Sequence, residues 1–315
     1  MATRPLRLGL VGAGRWGRNI IRTLNAAPDL TLARLASSNP EAAGWAGPQC
    51  QVTKRWRDLI RAHDLDGLVL AVPPALHDTM VRAAVKAGLP VFVEKPLTTD
   101  AAKARALARY VAGQGGYVFI DHIHLFNPAY QTVKRQSLIL GSIESIVSGG
   151  GNDGPVRDDV SVLWDYGPHD VALALDLAAR PLAGVAAERL EKRADGGETL
   201  ALTLTFDDGL KAEITLSNIL DHKRRFMAVH FRGHMLLFDD TQDDKLILER
   251  RNDSPRCIVE EEPPRALDYD PEAPLTRALN AFAQAVRAQS TDTAGLDLGV
   301  RVVEVLEQAE RSLAA

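Results

Sequence analysis

Residues Leu8–Leu24 read LGLVGAGRWGRNIIRTL, an apolar run that breaks at glycine and resumes at helical spacing. Gly12, Gly14 and Gly17 make a G-x-G-x-x-G pattern, which by itself describes any flexible turn. Here the pattern follows a strand-like segment and opens a helix-like one in which Trp16, Ile20, Ile21 and Leu24 share a face. In that setting each glycine has a physical task. Gly12 permits a tight turn, Gly14 lets a pyrophosphate approach the backbone, and Gly17 lets helix and strand pack closely. The helix N-terminus adds unpaired N–H groups that attract phosphate. The stretch therefore predicts the first βαβ unit of a dinucleotide-binding domain.

Working outward, strand-like and helix-like segments alternate. Residues 30–36, 66–73, 90–96 and 117–122 read as strands, and 75–88 and 99–115 as helices. Alternation at this pace implies a parallel sheet covered on both faces. The expectation is an α/β, doubly wound Rossmann domain over residues 1–121. After His122 the pattern changes. A helix opens at Asn127-Pro128, a strand follows, then a glycine-rich loop GGGNDGP, then a helix over 164–179 with Pro168 in its first turn. Leu200, Leu202, Leu204 and Phe206 alternate with small or polar residues up to a turn at 207–209, and a second hairpin turns at Arg232-Gly233. Two helices close the chain. Residues 122–315 are thus expected to form an α+β domain with an open, mostly antiparallel sheet, serving substrate binding and oligomerisation. An open sheet has a face to hide, which points to a homodimer or homotetramer formed through it.

The chain has 315 residues, a formal net charge of −4 and no block of Lys or Arg, which argues against nucleic acid or an anionic membrane as partner. Its apolar runs are too short to span a bilayer. MATRPLR passes straight into a strand, leaving no room for a secretory leader, and Cys50 and Cys257 cannot build a disulfide framework. A cytoplasmic location is expected.

Several residues are candidates for chemistry. NAD-specific domains place an acid about 20 residues beyond the glycines to bond the ribose 2′-OH. This chain has Ser37 and Ser38 there. Loss of the carboxylate removes repulsion against a 2′-phosphate, and Arg15 could supply positive charge. The choice of NAD or NADP leans to NADP, with two plain turn-forming serines as the alternative. Pro73 and Pro74 end a strand at the edge where open parallel sheets bind ligands, and His77 follows as a cap or surface residue. Glu94 and Lys95 lie at the same edge, either as a solvated strand end or as a functional site; a lysine there suits proton transfer or holding a hydroxyl. Asp165 and His169 are four apart, so their side chains can converge, and a helix N-terminus would keep the imidazole neutral and basic. Arg157, Asp158 and Trp164 precede that pair and are candidates for touching substrate. His122 with His124, and His230 with His234, lack the cysteine or carboxylate companions of a metal site, so no metal is expected.

Together GLVGAGRWGRN, AVPPALH, VEKPL, HIHLFNP and WDYGPHD, in this order, resemble the Gfo/Idh/MocA family of glucose–fructose oxidoreductase and inositol dehydrogenase. The resemblance covers most of the chain. It implies that Gly12, Gly14 and Gly17 with Arg15 and Trp16 hold the pyrophosphate, and that Pro73, Pro74 and His77 line the middle of the cofactor. It implies further that Glu94 bonds the nicotinamide ribose, that Asn127 sits near the nicotinamide, and that Lys95, Asp165 and His169 are the catalytic set. The implied activity is NAD(P)-dependent hydride transfer with a secondary alcohol or ketone of a sugar, inositol or nucleotide-sugar. A glycosidase that reduces its NAD transiently, or a cofactor-binding regulator without chemistry, are the alternatives on the same fold. Three positions depart from the family pattern: Ser37-Ser38 replaces an acid, Pro74 a common Asn, and Asp121 a common Gly.

Overall fold

The computed structural model describes residues 4–154, 156, 160–251 and 263–314; Arg157, Asp158 and Cys257 lie outside the described residues. The elements run β1 (Leu6–Val11), α1 (Arg15–Ala26), β2 (Leu30–Ala36), α2 (Ala42–Ala46), β3 (Gln51–Thr53), α3 (Trp56–Ile60), β4 (Gly67–Leu70), α4 (His77–Lys86), β5 (Val91–Glu94), α5 (Ala101–Gly113) and β6 (Val118–Asp121). Then come α6 (Pro128–Leu140), β7 (Ile143–Asp153), α7 (Val162–Ala178), β8 (Leu182–Lys192), β9 (Glu198–Phe206), β10 (Lys211–Ser217), β11 (Ile219–Phe231), β12 (His234–Asp239), β13 (Leu246–Arg250) and β14 (Arg265–Ala266). Helices α8 (Pro274–Arg287) and α9 (Ala294–Ala314) follow. Two compact units result, Met1–Ile123 with Ala273–Val303, and His124–Glu272 with Glu304–Ala315.

The first unit is built on a six-stranded sheet of order β3-β2-β1-β4-β5-β6, parallel throughout. The order reverses between β2-β1 and β4, the arrangement that opens a crevice at the C-terminal ends of the strands. Strands β4 and β5 are apolar and buried because both faces are covered. Helix α1 buries Gly17, Ile20, Ile21 and Leu24. Trp16, expected on that face, is instead 36% exposed. Residues 273–303 join this unit, rather than the segment after residue 122, for a packing reason. Phe282 of α8 lies edge-on to Phe92 and Phe119 at 5.7 and 6.1 Å, and Phe92 and Phe119 stack at 5.0 Å.

The second unit carries an eight-stranded sheet of order β14-β13-β12-β11-β7-β10-β9-β8. Only the β7–β10 pair is parallel. Leu200, Leu202, Leu204 and Phe206 on β9, Ala212, Ile214 and Leu216 on β10, and Met227 and Val229 on β11 are buried on one face, where α7 packs over β7, β9 and β10. Lys211, Glu213 and Thr215 alternate to the other face and are exposed.

Two expectations are corrected here. Gly149, Gly150 and Gly151, which end the strand-like SIESIVSGGG and open the expected loop GGGNDGP, lie in β7, and the strand runs past them to Asp153. A Cβ on Gly149 would meet the Phe226 ring at 2.7 Å, and one on Gly150 would meet Arg225 and Asp170 at 2.8 and 2.9 Å. The glycines are there because large neighbours cross the strand. Pro168 is not in the first turn of its helix either. Helix α7 starts at Val162, and Pro168 lies inside it.

The Arg225 guanidinium meets the Asp170 carboxylate at 3.3 Å, with side-chain exposures of 8% and 1%. Burial still holds Asp170 above the usual carboxylate range, although Arg225 and Ser148 pull it down. Breaking a buried pair by removing one partner costs about 3 kcal/mol. Arg225→Met should therefore destabilise the protein by about that much near neutral pH in urea denaturation. The sign with pH follows from the raised carboxyl. The penalty should shrink as pH falls from about 7.5 towards 4, where Asp170 takes up a proton in both folded and unfolded chains. An equal penalty across that range would remove Asp170 as its source.

Candidate functional site

Gly12 follows β1 with φ +98°, and a Cβ there would stand 2.2 Å from the Ala71 carbonyl. A Cβ on Gly17 would stand 2.2 Å from the Gly12 carbonyl, so α1 can cross the turn only as glycine. Gly14 is different. It caps α1 in extended backbone, and nothing lies within 4 Å of its missing Cβ. The first turn of α1 has no side-chain cap and no acidic residue, and Arg15 and Trp16 are exposed at its start. Open N–H groups, a positive helix end and an arginine fit a pyrophosphate.

At the end of β2, the Ser37 N–H donates to the Thr53 carbonyl at 2.9 Å, and the Ser37 hydroxyl accepts the Asn39 N–H at 3.1 Å. Ser37 is thus partly engaged as a turn former, while Ser38 is exposed. The chain after Ser38 offers no nearby Lys or Arg, but the fold does. Strand β3 pairs Thr53 with Ala36 and brings the exposed Lys54 and Arg55 to the same edge. Arg55 is shared with Asp58 at 3.0 Å. The three-residue β3 is too short to show periodicity, so the sequence reading missed these cations.

Pro73 precedes a single 3-10 turn, Pro74–Leu76, and Pro73 is exposed with Pro74 half-buried. His77 is no cap or surface residue: it is fully buried. Its Nε2 lies 2.9 Å from the Val72 carbonyl and its Nδ1 3.0 Å from the Pro96 carbonyl. Burial lowers its pKa despite these bonds. The neutral ring has one N–H to donate to one of these carbonyls, and it is packed between the loop after β4 and the loop after β5 with both nitrogens turned to the backbone.

Glu94 and Lys95 occur where β5 ends, and both are half-buried. Glu94 is the register partner of Asp121 on β6. Burial, then the Asp121 carboxyl, push Glu94 well above the usual carboxylate range, while Lys95 and the Trp16 indole pull it down. Asp121 is raised by burial to about 6, against the pull of Glu94, Trp16 and Lys95. His122 is lowered to about 4, by burial and then by Lys95, so it is neutral.

In the second unit, Asp165 lies in the first turn of α7 and His169 one turn later, both half-buried. The imidazole is therefore two turns into the helix, beyond the reach expected of the N-terminal dipole. The His124 ring meets the His169 ring edge-on at 4.7 Å, a neighbour that sequence spacing does not reveal. Trp164 is buried, with its indole N–H donated to Glu310 at 3.0 Å. The Asn127 side chain accepts the Ala129 N–H at 3.0 Å and caps α6. Arg157 lies outside the described residues.

A model of the family GFO_IDH_MocA, described as an oxidoreductase family with NAD-binding Rossmann fold, matches residues 6–122. The crystal structure of a protein from Magnetospirillum magnetotacticum MS-1 assigned as an oxidoreductase is 39% identical with a TM-score of 0.89, covering 97% of this chain and 99% of that one. Inositol 2-dehydrogenase 4 of Saccharopolyspora erythraea is 37% identical over 147 residues, 43% of this chain and 41% of that protein. The match thus spans about two fifths of that curated relative. UDP-N-acetylglucosamine 3-dehydrogenase of Acidithiobacillus ferrooxidans shares the fold, with a TM-score of 0.85 at 22% identity over 99% of this chain and 98% of that one. Among the described residues no helix is long and apolar enough to cross a membrane.

The glycines separate by experiment. Gly17→Ala should lower stability by about 3 kcal/mol or more in denaturant titration, since backbone must move to admit the methyl. Gly14→Ala should leave the unfolding transition in place and weaken NADH or NADPH binding at least about tenfold, read by quenching of protein fluorescence. Equal affinity in Gly14→Ala and the unaltered chain would place the phosphates elsewhere.

Proposed function

We propose that this chain, which belongs to the Gfo/Idh/MocA oxidoreductase family, moves a hydride between a nicotinamide cofactor and a secondary alcohol or ketone carbon of a sugar, an inositol or a nucleotide-sugar. The observation that carries the reading is the open Gly14 cradle beside a strand edge bearing Glu94 and Lys95. The bound nicotinamide supplies the hydride acceptor or donor. The chain's residues do the rest. Gly12, Gly14, Gly17, Arg15 and Trp16 hold the pyrophosphate, Pro73 and Pro74 border the cofactor's middle, and Glu94 bonds the nicotinamide-side ribose, with Asn127 near the nicotinamide.

Lys95 and His169 both serve the reacting carbon. In oxidation, His169 takes the hydroxyl proton as hydride leaves the same carbon, and the Lys95 ammonium stabilises the alkoxide that forms. Asp165, one helical turn from His169, orients the imidazole. Positioning and charge stabilisation carry most of the rate. The first unit binds the dinucleotide, and the second carries the substrate and the subunit contact.

NADP is the favoured cofactor. No carboxylate stands at Ser37 or Ser38, and Lys54 reaches the same edge from β3. The substrate class follows the polar rim and the curated relative named for inositol. A homodimer or homotetramer would cover the outer face of the eight-stranded sheet, where Val147, Phe226, Met235, Leu237 and Ile247 are half-buried. The cytoplasm, reducing and supplied with nicotinamide cofactors, is the proposed compartment.

Lys95→Ala should lower kcat/KM for the best polyol of a panel by about 100-fold or more while the fold persists. Near-normal turnover would remove Lys95 from the chemistry. Net change in nicotinamide absorbance during turnover is the second readout. Product without such a change would assign the chain to transient-redox glycosidase chemistry, and cofactor binding with no turnover of any polyol would make it a regulator.

A further inference from the structure

Glu94 and Asp121 are register partners on adjacent parallel strands, so their side chains leave the same face of the sheet. Asp121 is 1% exposed. Both of its carboxyl oxygens, and Oε1 of Glu94, are buried without a hydrogen bond of ordinary geometry to a donor. Lys95 is the cation acting on both carboxyls, and the Trp16 indole N–H is the neutral donor acting on both. His122, next along the chain, responds to burial and Lys95 and not to this pair. Two carboxylates in a dry place cannot both ionise beside one another, and the inexpensive arrangement is a single proton held between them.

We propose that Asp121 is a positioning residue that acts through Glu94: the two carboxyls hold one proton between them, and that bond fixes the Glu94 carboxyl which a cofactor ribose meets. This rests on the proposed dinucleotide reading. The bond also sets the charge of the strand edge. With one shared proton the dyad carries a single negative charge, which the Lys95 ammonium balances. The raised carboxyls agree with this count. Burial raises both carboxyls, and the facing Asp121 raises Glu94 further, so the pair holds a proton where a free carboxyl would have lost it. Loss of the last proton at higher pH gives the edge a second negative charge, which repels its partner carboxylate and the cofactor's phosphates.

Two measurements test this. Infrared spectra of the cofactor-free protein at neutral pH should show a carboxylic-acid C=O band that shifts in D2O. The frequency of that band, set by the hydrogen bond to the partner carboxylate, should shift in Asp121→Asn and in Glu94→Gln, so either variant suffices if the other fails to fold. Absence of the band from the unaltered protein, or an unmoved frequency in both variants, overturns the shared proton. The dissociation constants of NADH and NADPH, followed by fluorescence from pH 5.5 to 9, give the functional readout. Affinity of the unaltered protein should fall on the alkaline side, by up to about tenfold per pH unit once the proton is lost. In Asp121→Asn, which cannot supply the second charge, that limb should be flat. Superimposable profiles in the two proteins overturn the role given to Asp121. An unaltered protein that shows the band but binds neither dinucleotide at any pH overturns the reading on which that role rests.

Discussion

The contact on which the first unit depends is the crossing of α1 over the turn that leaves β1. The Gly12 carbonyl and the backbone of Gly17 are so close that a methyl on Gly17 would sit 2.2 Å from the oxygen. Gly12 is wedged against the Ala71 carbonyl in the same way, with a positive φ that side chains resist. These approaches set how far the helix N-terminus stands from the sheet. They leave Gly14 facing open space and bring the Trp16 indole N–H within reach of Glu94 and Asp121. A wider crossing would carry the open N–H groups and the indole away from the strand edge together. The open N-terminus of α1 and the surroundings of Glu94 and Asp121 are therefore one construction.

Much of this was legible in the sequence where physics leaves a periodic trace. The buried strands β1, β4, β5 and β6 are apolar because both faces are covered, and β9 and β10 alternate because one face is. The elements missed lack such a trace. Strand β3 has three residues. Strand β8 runs along an edge of its sheet and is largely exposed, so LAGVAAERLEK shows no apolar alternation. Glycine carried two meanings that composition does not separate. In GLVGAGRWG it marks a turn, whereas at Gly149 and Gly150 it marks a strand crossed by the Phe226 ring and by a buried ion pair. Trp16 fell on the helical face by spacing, yet its polar N–H and the buried carboxyls draw it to the rim.

The candidate site was legible in kind more than in environment. Spacing picks out Glu94 and Lys95 at a strand end, but only register reveals that Glu94 faces Asp121. It was Asp121, the departure from the family pattern without an evident consequence in sequence, that most alters the neighbourhood of Glu94. His77 shows the converse. It reads as a ligand-side residue, and the fold buries it with both nitrogens facing backbone carbonyls, one of which accepts its single N–H. A side chain shut away like this still bears on the site, because it fixes the loop that follows Glu94 and Lys95 against the loop that carries the prolines.

The helix that presents His169 is held by means unlike those expected from its sequence. A helix start at Pro168 would have placed the imidazole at the positive end of the dipole. With α7 beginning at Val162, His169 lies mid-helix, and Pro168 removes the hydrogen bond that would have gone to the Trp164 carbonyl. A tether to the sheet comes two residues after the proline. Asp170 reaches under the helix to Arg225 on β11, through the gap that Gly150 leaves on β7. Trp164 is anchored on its other side by Glu310 of α9. Anchors five residues before His169 and one residue after it constrain rotation about the helix axis, which is the freedom that matters for aiming an imidazole. The orientation of His169 is thus set by a buried ion pair and an indole hydrogen bond, with the edge-on ring of His124 as its neighbour. The apolar sheet face beneath α7 supplies burial but no directionality, so the polar groups placed within it are what specify one rotation of the helix over others.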